Sequence, residues 1–275
     1  MRSPFTYYGG KARMAGMILE RMPAHKTYVE PFAGGASVLW AKGRSQAEYI
    51  NDKNGQLANF YRVMATQFEA LYDRVQGTLH CEHTHREACE IYRAEPWRYD
   101  AVTRAWATWV ACNMSFSGQI GGSFSWALNR KDAWSPPVAT ENKKAAFRQY
   151  AKRLEGVTIF SRDALDILGG KLNTPDTFWY LDPPYAGARQ GHYGGYTQRS
   201  FEELIDSLEG VKGKFILSSY DNPALTDAVA RAGWTQELHE MRLGVVSGPQ
   251  RKIEVLTMNF EPNLNLFSNL QQHGY

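Results

Sequence analysis

The sequence predicts an α/β protein with a nucleotide-binding sheet assembled from both ends of the chain and a mostly helical insertion between them. Three observations predict it. Residues 26–30 (KTYVE) read as a short strand that runs into the glycine-rich turn PFAGGAS and then the helix-like VLWAK, the way nucleotide-binding α/β units open. Apolar runs of strand length return at 157–161 (VTIFS), 177–181 (TFWYL) and 214–220 (KFILSSY). Between them, from Phe68 to Leu154, helical segments mix with polar loops, and the strand signal is confined to one Gly/Ser-rich candidate hairpin.

The elements follow in order. Residues 47–50 form a second strand that ends in Asn51-Asp52, an acidic tip, and Leu57, Phe60, Tyr61 and Met64 recur at helical spacing behind it. Ser200 with Glu203 three residues on reads as a capping box opening a helix through Leu204, Ile205 and Leu208. Residues 223–232 make a helix closed by Gly233. Strands at 237–243 and 253–260, joined by a turn at Ser247-Gly248-Pro249, make a terminal hairpin. The expected domains are therefore a discontinuous α/β domain, 1–66 with 156–275, and an insertion, 67–155.

Composition narrows the class without naming it. With 275 residues, 43% of them hydrophobic, the chain can bury a sizeable core. The net charge of +3 is too mild to mark a nucleic-acid binder by itself, so the clustering of positive charge matters more. Three cysteines, Cys81, Cys89 and Cys112, suit a reducing cytoplasm better than a disulfide framework. The N-terminal stretch lacks the pattern of a signal peptide, and no run of about 18 apolar residues predicts a membrane span. His80, Cys81, His83, His85 and Cys89 are possible zinc ligands by type, but their spacing is not that of a finger or knuckle, and no metal is expected.

The sharpest local signal is Asp182-Pro183-Pro184-Tyr185 directly after the apolar strand TFWYL. Open α/β sheets place ligands at the C-terminal ends of their strands. The two prolines stiffen the backbone and remove N–H donors, leaving carbonyl acceptors beside a carboxylate and an aromatic ring. Such a set suits a planar group bearing an amine: Asp182 and the Pro183 carbonyl accept from the amine, and Tyr185 stacks on the ring. The plain alternative is a rigid strand-to-loop turn.

At these residues the chain resembles the Dam-type adenine-N6 DNA methyltransferases, the D12 class, in which the cofactor motif precedes the recognition domain and DPPY follows it. Pro4 to Lys11 (PFTYYGGK) is similar to the family's N-terminal segment, Glu30 to Ala36 (EPFAGGA) to its cofactor loop, and Ile50 to Asn54 (INDKN) to its acidic second strand. Ser161 to Ala164 fits the strand-end aspartate before DPPY, and Arg251, Glu254-Val255-Leu256 and Asn259 resemble the closing strand.

The resemblance implies a Rossmann-like S-adenosylmethionine-dependent fold with a mostly helical DNA-recognition insertion carrying a β-hairpin. It implies S-adenosyl-L-methionine as cofactor, held by Tyr7, Gly9, Gly10, Lys11, Glu30, Pro31, Phe32, Ala33, Gly34, Gly35, Asp52, Asp163 and Asp182. It implies methyl transfer to N6 of a flipped-out adenine in double-stranded DNA at Asp182, Pro183, Pro184 and Tyr185. The physical chemistry agrees: Gly34 and Gly35 let the backbone approach the cofactor closely, Asp52 can accept both ribose hydroxyls, and Asp163 can accept from the cofactor's adenine amine. Asp52 as a plain helix cap and Lys11 as a solvated lysine are the structural alternatives.

For DNA contacts two stretches stand out. Residues 143–153 (KKAAFRQYAKR) carry Lys143, Lys144 and Arg148 on a helical pattern without an acid, suited to tracking phosphates; a solvated helix face is the alternative. Residues 113–131, with Asn113, Ser115, Ser117, Gln119, Arg130 and Lys131, read as a β-hairpin able to enter a groove. This stretch departs from the family's Asn-Arg-x-x-Phe-Asn-Gly pattern, because Met114 follows Asn113 and Ser117 stands where Asn is expected, so GATC is not assumed as the target. After Tyr185, AGARQGHYGGYTQRS reads as a lid over the base or an ordinary surface loop. The expected protein is cytoplasmic, from a prokaryote or phage, a monomer or weak dimer on DNA, with a restriction endonuclease as a possible partner. Cytosine N4, RNA adenine or a glutamine side chain as acceptor, and a catalytically silent DNA-binding regulator, stay open as alternatives.

Overall fold

The strands are β1 (Thr27–Glu30), β2 (Ala47–Asn51), β3 (Val157–Phe160), β4 (Thr177–Leu181), β5 (Lys214–Ser219), β6 (Thr235–Arg242) and β7 (Arg251–Met258). They form one mixed sheet of seven strands in the order β3-β2-β1-β4-β5-β7-β6. The computed structural model describes residues 1–127, 135–185, 196–242 and 251–262. The helices among them are α1 (Ala15–Arg21), α2 (Ser37–Ala41), α3 (Gly55–Thr66), α4 (Phe68–Gln76), α5 (Glu82–Arg93), α6 (Ala101–Met114), α7 (Pro136–Ala145), α8 (Phe147–Leu154), α9 (Ala164–Leu168), α10 (Gln198–Glu209) and α11 (Pro223–Ala232). The predicted α/β class is the observed one. None of these helices is long and apolar enough to cross a membrane.

The chain divides into two compact units. One contains Met1–Ala12, Ala33–Ala41 and Ile50–Ser161; the other contains Arg13–Phe32, Lys42–Tyr49 and Arg162–Tyr275. In the second unit β1 pairs with β4 and β4 with β5 in parallel, and β7 runs antiparallel to both β5 and β6. Every residue of β4 is buried, as expected for a central parallel strand covered on both faces, and this is why TFWYL reads as a continuous apolar run. From β1 the strand order runs outward through β2 to β3, and β4 lies on the other side of β1. The carboxyl ends of β1 and β4, Glu30 and Leu181, thus flank a topological switch point, where open α/β sheets bind ligands.

The first unit centres on α6, which is buried from Ala105 through Met114. A helix apolar on every side belongs inside a core. Asp100 starts it, accepting from the Thr103 amide at 2.9 Å and the Thr103 hydroxyl at 2.6 Å. Its indoles find polar partners as buried indoles must: Trp106 donates to the Thr78 hydroxyl at 2.8 Å, and Trp109 to the Pro4 carbonyl at 3.0 Å.

Three details differ from the sequence reading. The capping box of α10 is built by Thr197 and Ser200, so the helix starts before the predicted Ser200–Glu203 pair. The short helices α1 and α9 were not predicted; α9 has only five residues, too few to show a period. The predicted hairpin over 113–131 is not formed in its described part. Asn113 and Met114 end α6, Phe116–Gly118 is a 3-10 turn, and Ser115 and Phe124 make a single isolated antiparallel bridge. The reason is local: Ser117 and Gly118 both have positive φ, 55° and 68°, so the chain turns before a second rung can form. Residues 128–131 lie outside the described residues, as do the predicted lid glycines and the Ser247-Gly248-Pro249 turn.

The tightest backbone approach in the sheet unit is at Gly213, just before β5. A Cβ there would clash with the Thr177 carbonyl oxygen and sit 2.8 Å from that of Thr174. Asn259 secures the same edge, accepting from the Phe215 amide at 2.8 Å and donating to the Gly213 carbonyl at 2.9 Å. Because backbone must move to admit a methyl group, Gly213→Ala is expected to cost about 2 kcal/mol or more, read as a lower urea midpoint with unchanged slope.

Candidate active site

In the first unit the glycine-rich turn is held from several sides. The Ala33 amide donates to the Asn51 carbonyl at 2.9 Å, and the Gly34 amide to Asp52 Oδ2 at 2.7 Å. The Gly34 carbonyl accepts from the Tyr61 hydroxyl at 2.7 Å, and the Gly35 carbonyl from the Ser3 hydroxyl at 2.7 Å and Trp40 Nε1 at 3.0 Å. Gly34 has φ +46°, and a Cβ on it would lie 3.0 Å from the ring of Tyr7. Glycine is needed there both for the left-handed conformation and for the ring that lies against it. Tyr7 begins the N-terminal motif: its carbonyl accepts from the Gly10 amide at 2.9 Å, and the buried Lys11 turns its ammonium back to the Gly9 carbonyl at 3.3 Å. The structure therefore brings together Tyr7, Gly9, Gly10, Lys11, Ala33, Gly34, Gly35 and Asp52.

Asp52 ties the tip of β2 to this turn. Its second oxygen, Oδ1, accepts from the Asn54 amide at 2.8 Å, while Asn54 itself caps α3. Asp52 is thus not the cap of that helix, and each of its oxygens keeps a further lone pair beyond these bonds. Burial pushes its carboxyl from the ordinary 3.8 up to about 6, against the two backbone bonds, which favour the charged form.

In the second unit Asp182 to Tyr185 follow β4 without a break. Tyr185 is buried, and its ring packs on Tyr220 with centroids 4.0 Å apart. Its hydroxyl donates to Glu254 Oε1 by a short bond and lies 3.4 Å from Asp182 Oδ1. Glu254, buried on β7, also accepts from the Ser218 hydroxyl of β5 at 2.8 Å. Burial, then the charges of Asp182 and Glu254, hold the Tyr185 phenol well above its usual pKa, so it remains a donor. Glu30 is buried at the end of β1 and accepts from the Tyr28 hydroxyl at 2.9 Å. Asp163 caps α9 through the Leu165 amide at 3.1 Å. Phe32 meets Tyr196 edge-on, and the buried Tyr196 hydroxyl has no hydrogen-bond partner among the described residues. Sequence reasoning missed Ser218 and Tyr220 and gave Glu254 no role; nothing local marks a residue whose partner is 69 positions away.

The residues expected at DNA separate into two groups. Asn113 is buried, donating to the Pro4 and Trp109 carbonyls and accepting from the Thr6 amide and the Lys143 ammonium. Ser115 is buried against His85 Nε2 at 2.8 Å. Lys144 is buried, and its ammonium is given to the Thr78 and Gln76 carbonyls and to Glu141. These three side chains are turned into the protein, where a DNA contact requires them outside. Lys143 is half-buried on Asn113 and Thr6, and burial lowers its pKa to about 7. Arg148 is exposed, paired with Glu69 at 3.0 Å and stacked on Tyr72. Ser117 is exposed and Gln119 half-buried; Arg130 and Lys131 lie outside the described residues. The histidines and cysteines of 80–89 take protein partners: His80 meets the Ser125 carbonyl at 2.9 Å, and Cys89 meets His85 at 3.4 Å. Among the described residues no three His, Cys, Asp or Glu side chains converge to hold a metal.

Comparison with known proteins gives the family of the chain. The family described as D12 class N6 adenine-specific DNA methyltransferase matches residues 7–241, and the chain belongs to it. A DNA N-6-adenine-methyltransferase of Escherichia phage P1 is 36% identical over 70 residues, 26% of this chain and 9% of that protein. Modification methylase StsI of Streptococcus sanguinis is 23% identical over 215 residues, 76% of this chain and 32% of that protein. Type II methyltransferase M.CviBI of Paramecium bursaria Chlorella virus NC1A is 23% identical over 260 residues, 89% of this chain and 95% of that protein. The chain thus spans about a third or less of the first two relatives and nearly all of the third.

The Asp52 shift has a stability consequence. With a folded pKa near 6 above an unfolded value near 3.8, the carboxyl's contribution is full below pH 3.8 and lost as pH rises through 6. Asp52→Asn lacks this dependence. Whatever its constant cost, the variant should gain on wild type between pH 4 and 7, by up to about 3 kcal/mol, reduced by screening at the residue's remaining exposed surface. Urea unfolding of both proteins at the two pH values measures it.

Proposed function

We propose that this chain transfers the methyl group of S-adenosylmethionine to N6 of an adenine flipped out of duplex DNA. The observation that carries the reading is Asp182-Pro183-Pro184-Tyr185 at the carboxyl end of the fully buried β4, beside the switch point of the sheet. The residues also suit the cofactor. Gly34 offers backbone with no Cβ under an aromatic ring, and Asp52 offers two oxygens with lone pairs to spare for ribose hydroxyls. The buried hydroxyl of Tyr196, which has no hydrogen-bond partner among the described residues and whose neighbour in charge is Asp163, offers a polar contact for the adenine end. Glu30, Pro31, Phe32 and Lys11 complete the proposed cofactor set.

When bound, the cofactor supplies a sulfonium methyl already activated for transfer. The protein's task is the acceptor. The adenine N6 lone pair is delocalised into the ring and is weakly nucleophilic. Asp182 and the Pro183 carbonyl would accept its two N–H bonds, favouring a tetrahedral nitrogen with its lone pair released for attack. Tyr185 offers its ring to the base, and Pro184 keeps the loop rigid. The acceleration then comes from orientation and from polar groups already in place. Residues 67–155 read the DNA in this proposal, with Ser117, Gln119, Lys143, Arg148, Arg130 and Lys131 as the contacts.

Incubation with S-adenosylmethionine and mixed-sequence duplex DNA, followed by nucleoside mass spectrometry, tests the reading. Wild type should give N6-methyladenine, and Asp182→Ala should lose at least about a hundredfold in rate. N4-methylcytosine would overturn the choice of base, and methylated RNA the choice of nucleic acid. Because ribose hydroxyls donate best to an ionised Asp52, cofactor affinity should weaken about tenfold per pH unit below 6. Asp52→Asn should bind weakly at every pH, with that dependence gone; calorimetric titration distinguishes the two.

A further inference from the structure

We propose, on the reading of residues 67–155 as the DNA reader, that His85 is a positioning residue for sequence specificity: with Cys89 and Arg93 on the same face of α5, it splints the turn 115–125 in the shape that reads DNA. Ser117 and Gln119, two of the proposed contacts, lie in that turn, the first exposed and the second half-buried. All of these residues belong to one compact unit. The ends of the turn meet in the single bridge between Ser115 and Phe124. Two backbone bonds flank it, from the Phe116 amide to the Ser123 carbonyl at 2.9 Å and from the Ser125 amide to the Met114 carbonyl at 2.7 Å. So short a pairing is marginal by itself, and side chains must hold the rest.

Helix α5 supplies them. His85, Cys89 and Arg93 recur at every fourth position, so they line one face of the helix. His85 Nε2 lies 2.8 Å from the Ser115 hydroxyl, and Cys89 Sγ lies 3.4 Å from the same nitrogen. Cys89 also bonds to the Gly121 backbone, and Arg93 Nη2 donates to the Gly121 carbonyl at 3.0 Å. At the end of the turn the Phe124 ring packs on His85 with centroids 5.7 Å apart, and on His80 at 5.0 Å. His80 in turn meets the Ser125 carbonyl at 2.9 Å. His85 therefore engages both ends of the turn, Ser115 by its nitrogen and Phe124 by its ring. Both His85 and Ser115 are buried, so water competes little for the bond between them. Base-edge contacts need their donors and acceptors held to within about 0.5 Å, whereas attraction to phosphates does not. A turn without its splint should thus keep its attraction to DNA and lose its discrimination.

His85→Leu keeps a side chain of similar size and removes the bond. With S-adenosylmethionine and mixed-sequence duplex DNA, its KM for DNA should rise about tenfold, while kcat and the cofactor dissociation constant stay within about twofold of wild type. Sequencing of the N6-methyladenine positions should show a broader set of flanking bases than wild type accepts. His85→Gln, whose side-chain amide can still bond the Ser115 hydroxyl, should bring KM back to within about threefold of wild type. Adding Ser115→Ala to His85→Leu should raise KM by no more than about twofold further, because both substitutions remove the same bond. If kcat falls with KM and flanking bases unchanged, or if the two substitutions multiply, His85 only supports the core and the proposal fails. Should His85→Leu not fold by thermal melting, Ser115→Ala, the smaller change, carries the same prediction for KM and flanking bases. Wild type without N6-methyladenine overturns the functional reading and this proposal together; active wild type whose variants keep its flanking bases overturns this proposal alone.

Discussion

A strand buried on both faces must stop somewhere, and where β4 stops decides which polar groups leave the sheet. Its five residues are all buried, and their backbone groups are consumed by parallel ladders to β1 and β5. The next residues are Asp182, Pro183 and Pro184. Two successive prolines have no N–H to continue the ladder, so pairing ends at once and carbonyls are left outside the sheet. The carboxylate of Asp182, the proline carbonyls and the ring of Tyr185 are therefore placed by strand termination.

Much of this was legible in the sequence because it is local. Strand, glycine turn and helix at 27–41, the acidic tip of β2, and β4 with its DPPY all sit in runs shorter than a dozen residues, and the structure has each of them. The helix 223–232 and its left-handed Gly233 were readable for the same reason. What misled was the insertion. Asn113 and Ser115 look like hairpin residues by type, yet their polar groups are used inside, on Pro4, Trp109 and His85. Lys144 and Arg153 look like an exposed basic stripe, but each is buried with its charge on carbonyl oxygens. Long cationic side chains can do this because their stems are apolar, and no residue-type pattern distinguishes the two outcomes.

Two carboxylates with partners brought in by the fold, the half-buried Asp52 and the buried Glu254, illustrate the remaining gap. Asp52 is partnered mainly by backbone amides, whose help is outweighed by desolvation, so its charge is held weakly. Glu254 is partnered by hydroxyls from β4's end and from β5. The Gly34 amide reaches Asp52 across 18 positions, and the Glu254 donors come from 36 and 69 positions away, so sequence alone shows the acid without these donors.

The knot at Asn113 has a consequence for how such enzymes diversify. Asn113 binds Pro4, Thr6 and Lys143, and Trp109 also reaches Pro4, so the segment just before Tyr7 is tied to α6 and α7. Gly118 packs so closely that a Cβ would sit 2.8 Å from the Thr6 carbonyl. A lineage that replaces residues 67–155 by recombination therefore cannot exchange them as a self-contained cassette. The first six residues must travel with it, or be rebuilt to fit, and recombination breakpoints that separate the two should be selected against.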